Sequence, residues 1–253
     1  MNPRAIAVNS LGQILIADSG NHRIQIFDSD GNFLQGFGSY GEGNGEFSCP
    51  EGLAVGMDDN IIVADTNNHR IQLFDKNGEF KMKVGSKGKG ESQFKYPYGV
   101  TVDSENNIIV ADLNNHRIQV FDSKGRYLRK IGEGKFLYPF SVVVNSKGHL
   151  IVSEFHGERI QILDSAGRLL KTFGSKGQAI GQFHTPFFIA IDSSDRILIT
   201  DAGMNHQIQV FDLAGNFLTK FGTNSLSQPF GIAIDSLGRI IVSETSSHRI
   251  SIF

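Results

Sequence analysis

Six acidic residues recur at matching points of the chain: Asp18, Asp65, Asp112, Glu154, Asp201 and Glu244. A ring of carboxylates could hold a metal ion or divide acid and base roles. Five of them are followed five residues later by an arginine, at Arg23, Arg70, Arg117, Arg159 and Arg249. A role used once per repeat is architectural: the acid closes a turn onto loop N–H groups, and a guanidinium bridges loops through several donors. His22, His69, His116, His206 and His248 belong to the same recurring segment and take the same reading. His149, His156 and His184 fall outside it, and no pair of them has ligand spacing. The single cysteine, Cys49, has no His or basic neighbour in the sequence to mark it as a nucleophile. No G-x-S-x-G, H-E-x-x-H or phosphate-loop pattern occurs, so the expectation is a chain without catalytic residues, metal ligands or cofactor.

Chemistry of a different kind is suggested by the segments that do not repeat faithfully. The segment GSKGKGESQFKYPYG at 85–99 places Lys87, Lys89 and Lys95 beside Tyr96 and Tyr98. Lys135, Tyr138, Phe140, Phe155 and His156 follow, and then Lys176, His184, Phe187 and Phe188. Rings interleaved with cations suit single-stranded RNA, because rings stack on bases while ammonium groups meet phosphates. The same residues would suit a protein partner, since exposed aromatics also anchor interfaces. A third reading has the rings covering the rim of a channel and packing on one another.

The elements that must position these residues follow from internal repetition. IADSGNHRIQIFD at 16–28 returns as VADTNNHRIQLFD at 63–75 and VADLNNHRIQVFD at 110–122, with looser copies at 152–164, 199–212 and 242–253. All six prolines, Pro3, Pro50, Pro97, Pro139, Pro186 and Pro229, mark one point of the unit, at spacings of 47, 47, 42, 47 and 43. Within a unit, four short β-branched or aromatic runs are separated by Gly, Asn, Asp and Ser clusters; in the second they are Leu53–Val55, Ile61–Ala64, Ile71–Phe74 and Phe80–Val84. The predicted fold is all-β: one domain over 1–253, a six-bladed propeller with blades starting near 3, 50, 97, 139, 186 and 229 and four antiparallel strands per blade. Small residues such as Gly52, Gly99 and Ala190 occupy the innermost strands, with Phe188 as the misfit. Only five outer strands are present, so the sixth blade is expected to lack its outer strand, and the chain is expected to be a fragment of a longer protein.

The elements P-x-G-[VI]-x-[VI], [IV]-[VA]-[DE]-x-x-N-H-R-I-Q-[VIL]-F-D and G-x-F-x-x-x-F-G resemble the NHL repeat, above all the repeats that end tripartite-motif NHL proteins. That resemblance implies a recognition module for RNA or protein, with any ubiquitin-ligase activity residing in a cysteine-rich RING region that this sequence does not contain. It also implies an outlying reading, a metal-dependent lyase or lactonase of NHL-like form, which would need inward His, Asp or Glu where the innermost strands offer Ala, Gly, Val and Ile.

Composition sets the outer bounds. The 253 residues carry a net charge of −2, so any surface for nucleic acid must be local. One cysteine leaves no intramolecular disulfide and favours a reducing compartment, the cytoplasm. No run approaches the ~18 apolar residues of a membrane span. The expected molecule is a monomeric propeller whose partner is RNA, or a protein in the alternative, with binding residues Lys95, Tyr96, Tyr98, Lys135, Tyr138, Phe140, Phe155, His156, His184, Phe187 and Phe188.

Overall fold

In the computed structural model, which describes residues 2–204 and 206–253, six small sheets stand around one axis. Five have four strands and the last has three, and every sheet follows chain order, so each is a simple antiparallel meander. Blade two shows the unit: first strand Pro50–Val55, second Ile61–Asp65, third Arg70–Phe74 and outer strand Phe80–Val84. The first strand begins at the proline itself, three residues ahead of the apolar run that marks it in the sequence. Proline is tolerated there because the first position of a strand need not donate to the ladder. Blade six ends with Arg249–Ile252 as its third strand.

Each first strand carries an irregularity just after its proline: Pro50 pairs with Asp65, and pairing resumes at Gly52 with Ala64. The innermost strands pack blade to blade in a closed ring, that of blade six against that of blade one. Two devices permit their close approach. In blade two a Cβ on Gly52 would lie 1.9 Å from the Tyr98 carbonyl oxygen, so only glycine fits. In blades four to six a hydroxyl ties the blades together instead. Ser153, Thr200 and Ser243 donate to the carbonyls of Phe187, Phe230 and Arg4 at 2.6, 2.7 and 2.6 Å. The last of these bonds joins blade six to blade one.

The recurring acid is the centre of each blade's loop structure. Asp112 is fully buried, and its Oδ2 accepts from Asn115, Arg117 and Gln119 at 2.8, 2.8 and 3.2 Å, while Oδ1 accepts from the Lys95 N–H at 2.8 Å. Arg117 then donates to the carbonyls of Lys89, Gly90 and Gln93, so one buried guanidinium shapes the loop entering its blade. Asp65 and Arg70 repeat this set on Glu42, Gly43 and Glu46. Burial pushes the Asp65 and Asp112 carboxyls above the ordinary range, against the pull of these donors.

Because Asp112 is buried, removing its partner leaves a charge without compensation. Arg117→Ala is expected to cost about 3–5 kcal/mol, whereas Arg23→Ala is expected to cost less, because the Arg23 side chain is 43% exposed and bonds only Asp18, which keeps Asn21 and Gln25. Urea unfolding midpoints of the two variants check this, and equal shifts would contradict it.

Candidate recognition face

The residue that follows each proline projects over the channel, and the six form a continuous ring: Arg4, Glu51, Tyr98, Phe140, Phe187 and Phe230. Ring centroids lie 4.5 Å apart for Tyr98 and Phe140, 4.8 Å for Phe140 and Phe187, and 4.4 Å for Phe187 and Phe230. The Arg4 guanidinium sits 4.1 Å over Phe230, and its Nε is 3.4 Å from Glu51 Oε2. Phe188 is buried against Phe140 and Phe230 at 5.5 Å from each. It belongs to the packing beneath the ring. Below, the channel narrows to a cavity of about 180 Å³ lined by inner-strand residues such as Ile6, Val100, Val142 and Ala190. Among the described residues no three His, Cys, Asp or Glu converge as a metal site.

Enclosure has a cost for the one carboxylate in this ring. Burial pushes Glu51 up to about 7, against Arg4 and the Ser19 hydroxyl, which donates to its Oε1 at 3.2 Å. Tyr98 is pushed up to about 12 by burial and then by the Glu51 charge.

A second, wider ring is set by the residues just before the prolines. Tyr96 and Tyr138 both hold φ near +58°, a left-handed backbone costly for a bulky side chain. What stabilises that conformation is a bond from the preceding blade: His69 Nδ1 accepts the Tyr96 N–H at 3.1 Å, and His116 Nδ1 accepts the Tyr138 N–H at 3.4 Å. His22 and His206 do the same for Cys49 and Gln228 at 3.1 and 3.2 Å. These histidines are therefore clasps between blades, each accepting through Nδ1. The tyrosine rings stand edge-on to them, Tyr96 at 4.6 Å from His69 and Tyr138 at 4.5 Å from His116 and 4.7 Å from His156. Burial, followed by the charges of Lys87 and Lys95, holds His69 below its ordinary pKa.

The eleven residues singled out in the sequence thus separate into two groups. Tyr98, Phe140, Phe187 and Phe188, with Phe155 stacked on Phe187 at 5.7 Å, pack into one aromatic cluster at the mouth. Lys95, Tyr96, Lys135, Tyr138 and His156 stand farther out with part of each side chain in solvent. His184 is half-buried across the mouth, its N–H donating to Asp201 at 3.0 Å, beside a cavity of about 470 Å³ that Arg4 and Phe230 also line. Arg4, Glu51 and Phe230 complete the ring without being among those eleven. Their signal is positional: each follows a proline, as Tyr98, Phe140 and Phe187 do.

Comparison with known proteins places the chain. A family model of the NHL repeat matches residues 1–27, 47–74, 94–121 and 226–253. Protein brain tumor of Drosophila melanogaster is 37% identical over 82 residues, which are 32% of this chain and 8% of that protein. The B-box type zinc finger protein ncl-1 of Caenorhabditis elegans is 46% identical over 56 residues, 22% of this chain and 7% of that protein. The matched segments are thus under a tenth of these relatives' lengths. Among solved structures, a gluconolactonase of Xanthomonas campestris superposes with a TM-score of 0.77 at 15% identity, over 96% of this chain and 83% of that one. A streptogramin B lyase does so with a TM-score of 0.72 at 17% identity, over 100% and 82%. At such identities the likeness is one of fold.

The Glu51 pKa has a consequence for stability. Above pH 4.5 the unfolded chain releases a proton that the native state keeps until about pH 7, so the stabilisation present at low pH is lost as pH rises through 7. Glu51→Gln stays neutral, and its stability, followed by thermal unfolding, is expected to gain on the parent by about 2 kcal/mol between pH 5.5 and 8.5. A difference that does not change with pH would contradict the burial of this carboxylate.

Proposed function

We propose that this chain, an NHL-repeat β-propeller resembling those of tripartite-motif NHL proteins, is a non-enzymatic recognition module that binds single-stranded RNA over the loops of blades two to four, in the cytoplasm. The observation that carries this reading is the outer ring: Tyr96 and Tyr138 are held half-exposed by histidine clasps, between Lys87, Lys95 and Lys135. Lys87 and Lys95 add to burial in holding His69 below its ordinary pKa, so the positive charge is local in a chain whose net charge is −2. Rigid rings beside cations provide what an unpaired strand needs, faces for bases and charge for phosphates. The rings of the mouth are engaged with one another, so base stacking falls to Tyr96, Tyr138 and His156.

The absence of catalysis is part of the proposal. Its support is the channel, whose inner-strand side chains are mainly Val, Ile, Leu and Ala. The lyase and lactonase propellers of similar fold share the architecture at under 20% identity. No helix among the described residues is long and apolar enough to cross a membrane.

Titration against a random single-stranded RNA pool at about 50 and 200 mM salt tests the reading, because each phosphate contact adds about 0.7 to the logarithmic salt slope. Lys87→Ala with Lys95→Ala is expected to reduce the slope by between one and two units, and Tyr138→Ala to cost about 1–3 kcal/mol of affinity. Absence of RNA binding, with retention of a protein partner that the same substitutions release, would replace this reading by protein recruitment.

A further inference from the structure

At the end of the propeller opposite the loops, the turn joining the first and second strands of each blade faces the same turn of the next. In some junctions a side chain crosses between them. Asp59 of blade two accepts from Ser10 of blade one through both N–H, at 2.9 Å, and Oγ, at 2.6 Å. Asp195 of blade five accepts in the same way from Ser146 of blade four, at 3.2 and 2.6 Å. Asn106 of blade three accepts from the Met57 N–H at 3.0 Å. The accepting residue always has positive φ, 57° for Asp59, 61° for Asn106 and 60° for Asp195.

At the other three junctions the accepting position is a glycine of similar backbone: Gly148 at φ 74°, Gly238 at 80° and Gly12 at 75°. The facing donors are still present, as Ser104, Ser193 and Ser236. A Cβ added to any of the three glycines would meet nothing within 4 Å, so nothing else has moved in to fill the gap. Two of the three open junctions also hold cavities larger than that at one clasped junction. Ser104 and Gly148 line one of about 580 Å³ and Ser193 and Gly238 one of about 440 Å³, whereas the cavity beside Asn106 at the clasped junction of blades two and three is about 100 Å³.

We propose that the open junctions of this face are carboxylate receptors, and that the junction of blades three and four takes an Asp or Glu side chain from an acidic, leucine-bearing segment of a partner protein. The ligand class is read from the molecule itself, because at two sister junctions an aspartate occupies the equivalent place against the same serine N–H and hydroxyl. The floor of the groove is apolar, formed by Ile109, Val120 and Leu150, so a leucine beside the acid would be covered. Two acids stand on the rim, but both are engaged: Asp103 accepts the N–H groups of Glu105 and Asn107 at 3.0 and 2.9 Å, and Glu105 accepts from the Asn107 side chain at 3.2 Å. Arg129, on the opposite wall, and Lys147, next to Gly148, supply the balancing positive charge. This site does not depend on RNA binding at the other end.

Backbone amide shifts test it, with a blocked Leu-Asp-Leu tripeptide at millimolar concentration as the probe and Leu-Ala-Leu as control. The Ser104 amide proton is expected to move downfield with the acidic peptide alone, while the amides of Ser10 and Ser146, already bonded, stay in place. Gly148→Asp places the carboxylate within the chain. It is expected to move the Ser104 amide downfield without peptide and to abolish its response to peptide. A Ser104 amide that ignores the acidic peptide, or answers both peptides alike, overturns the proposal, as does a Gly148→Asp variant that leaves it unshifted.

Discussion

The structure depends on a carboxylate placed out of reach of water at the end of each second strand. A buried charge is tolerable only when every lone pair is engaged. Asp65 and Asp112 meet that demand by collecting donors from three directions: the asparagine of their own loop, the arginine and glutamine of the third strand, and an N–H of the chain entering the blade. Satisfying the charge therefore fixes the loop. Because Arg70 and Arg117 then spend their remaining donors on three carbonyls of the incoming segment, the paths of the loops into blades two and three are set before any ligand is considered.

From that frame two concentric rings follow, with different physical duties. Before four of the six prolines the residue, Cys49, Tyr96, Tyr138 or Gln228, holds a left-handed backbone, and a histidine of the previous blade accepts its N–H; the residue after each proline turns inward over the axis. In the inner ring aromatic packing, worth about 0.5–1.5 kcal/mol per pair beyond its buried area, competes with display. Phe140 is 4% exposed, so it is a plug and not a platform. In the outer ring, edge-on contacts with histidine orient Tyr96 and Tyr138 without covering them. The packed residues and those proposed for recognition are thus two apart in the chain.

Most of the fold was legible because its signals are local and repeated. The proline positions, the N-H-R-I-Q segment and the D-x-x-G turns each specify one strand or turn, and six copies in phase reinforce one another. The three-stranded last blade could be counted in the same way. What could not be read was which of two neighbouring aromatics joins the packed ring of the mouth. Tyr96 and Tyr98 are alike in type and flank one proline, and only the ring closed by Arg4 and Glu51 from the first two blades separates them. Glu51 reads as one more acid in an acidic loop, whereas it is a buried strand residue paired with Arg4. Such a pairing across 47 positions leaves no local pattern. The absent clasps at Gly148 and Gly238 are equally silent, because glycine in a turn is unremarkable until the facing serine is known.

The central claim is that recognition belongs to the outer ring of the loop face. Ultraviolet cross-linking of bound single-stranded RNA, followed by peptide mapping, tests it most directly. The account predicts cross-links at Tyr96, Tyr138 and His156, with none in the turns at the opposite end of the channel. Cross-links confined to those opposite turns, or to the mouth residues Phe187 and Phe230, would contradict it.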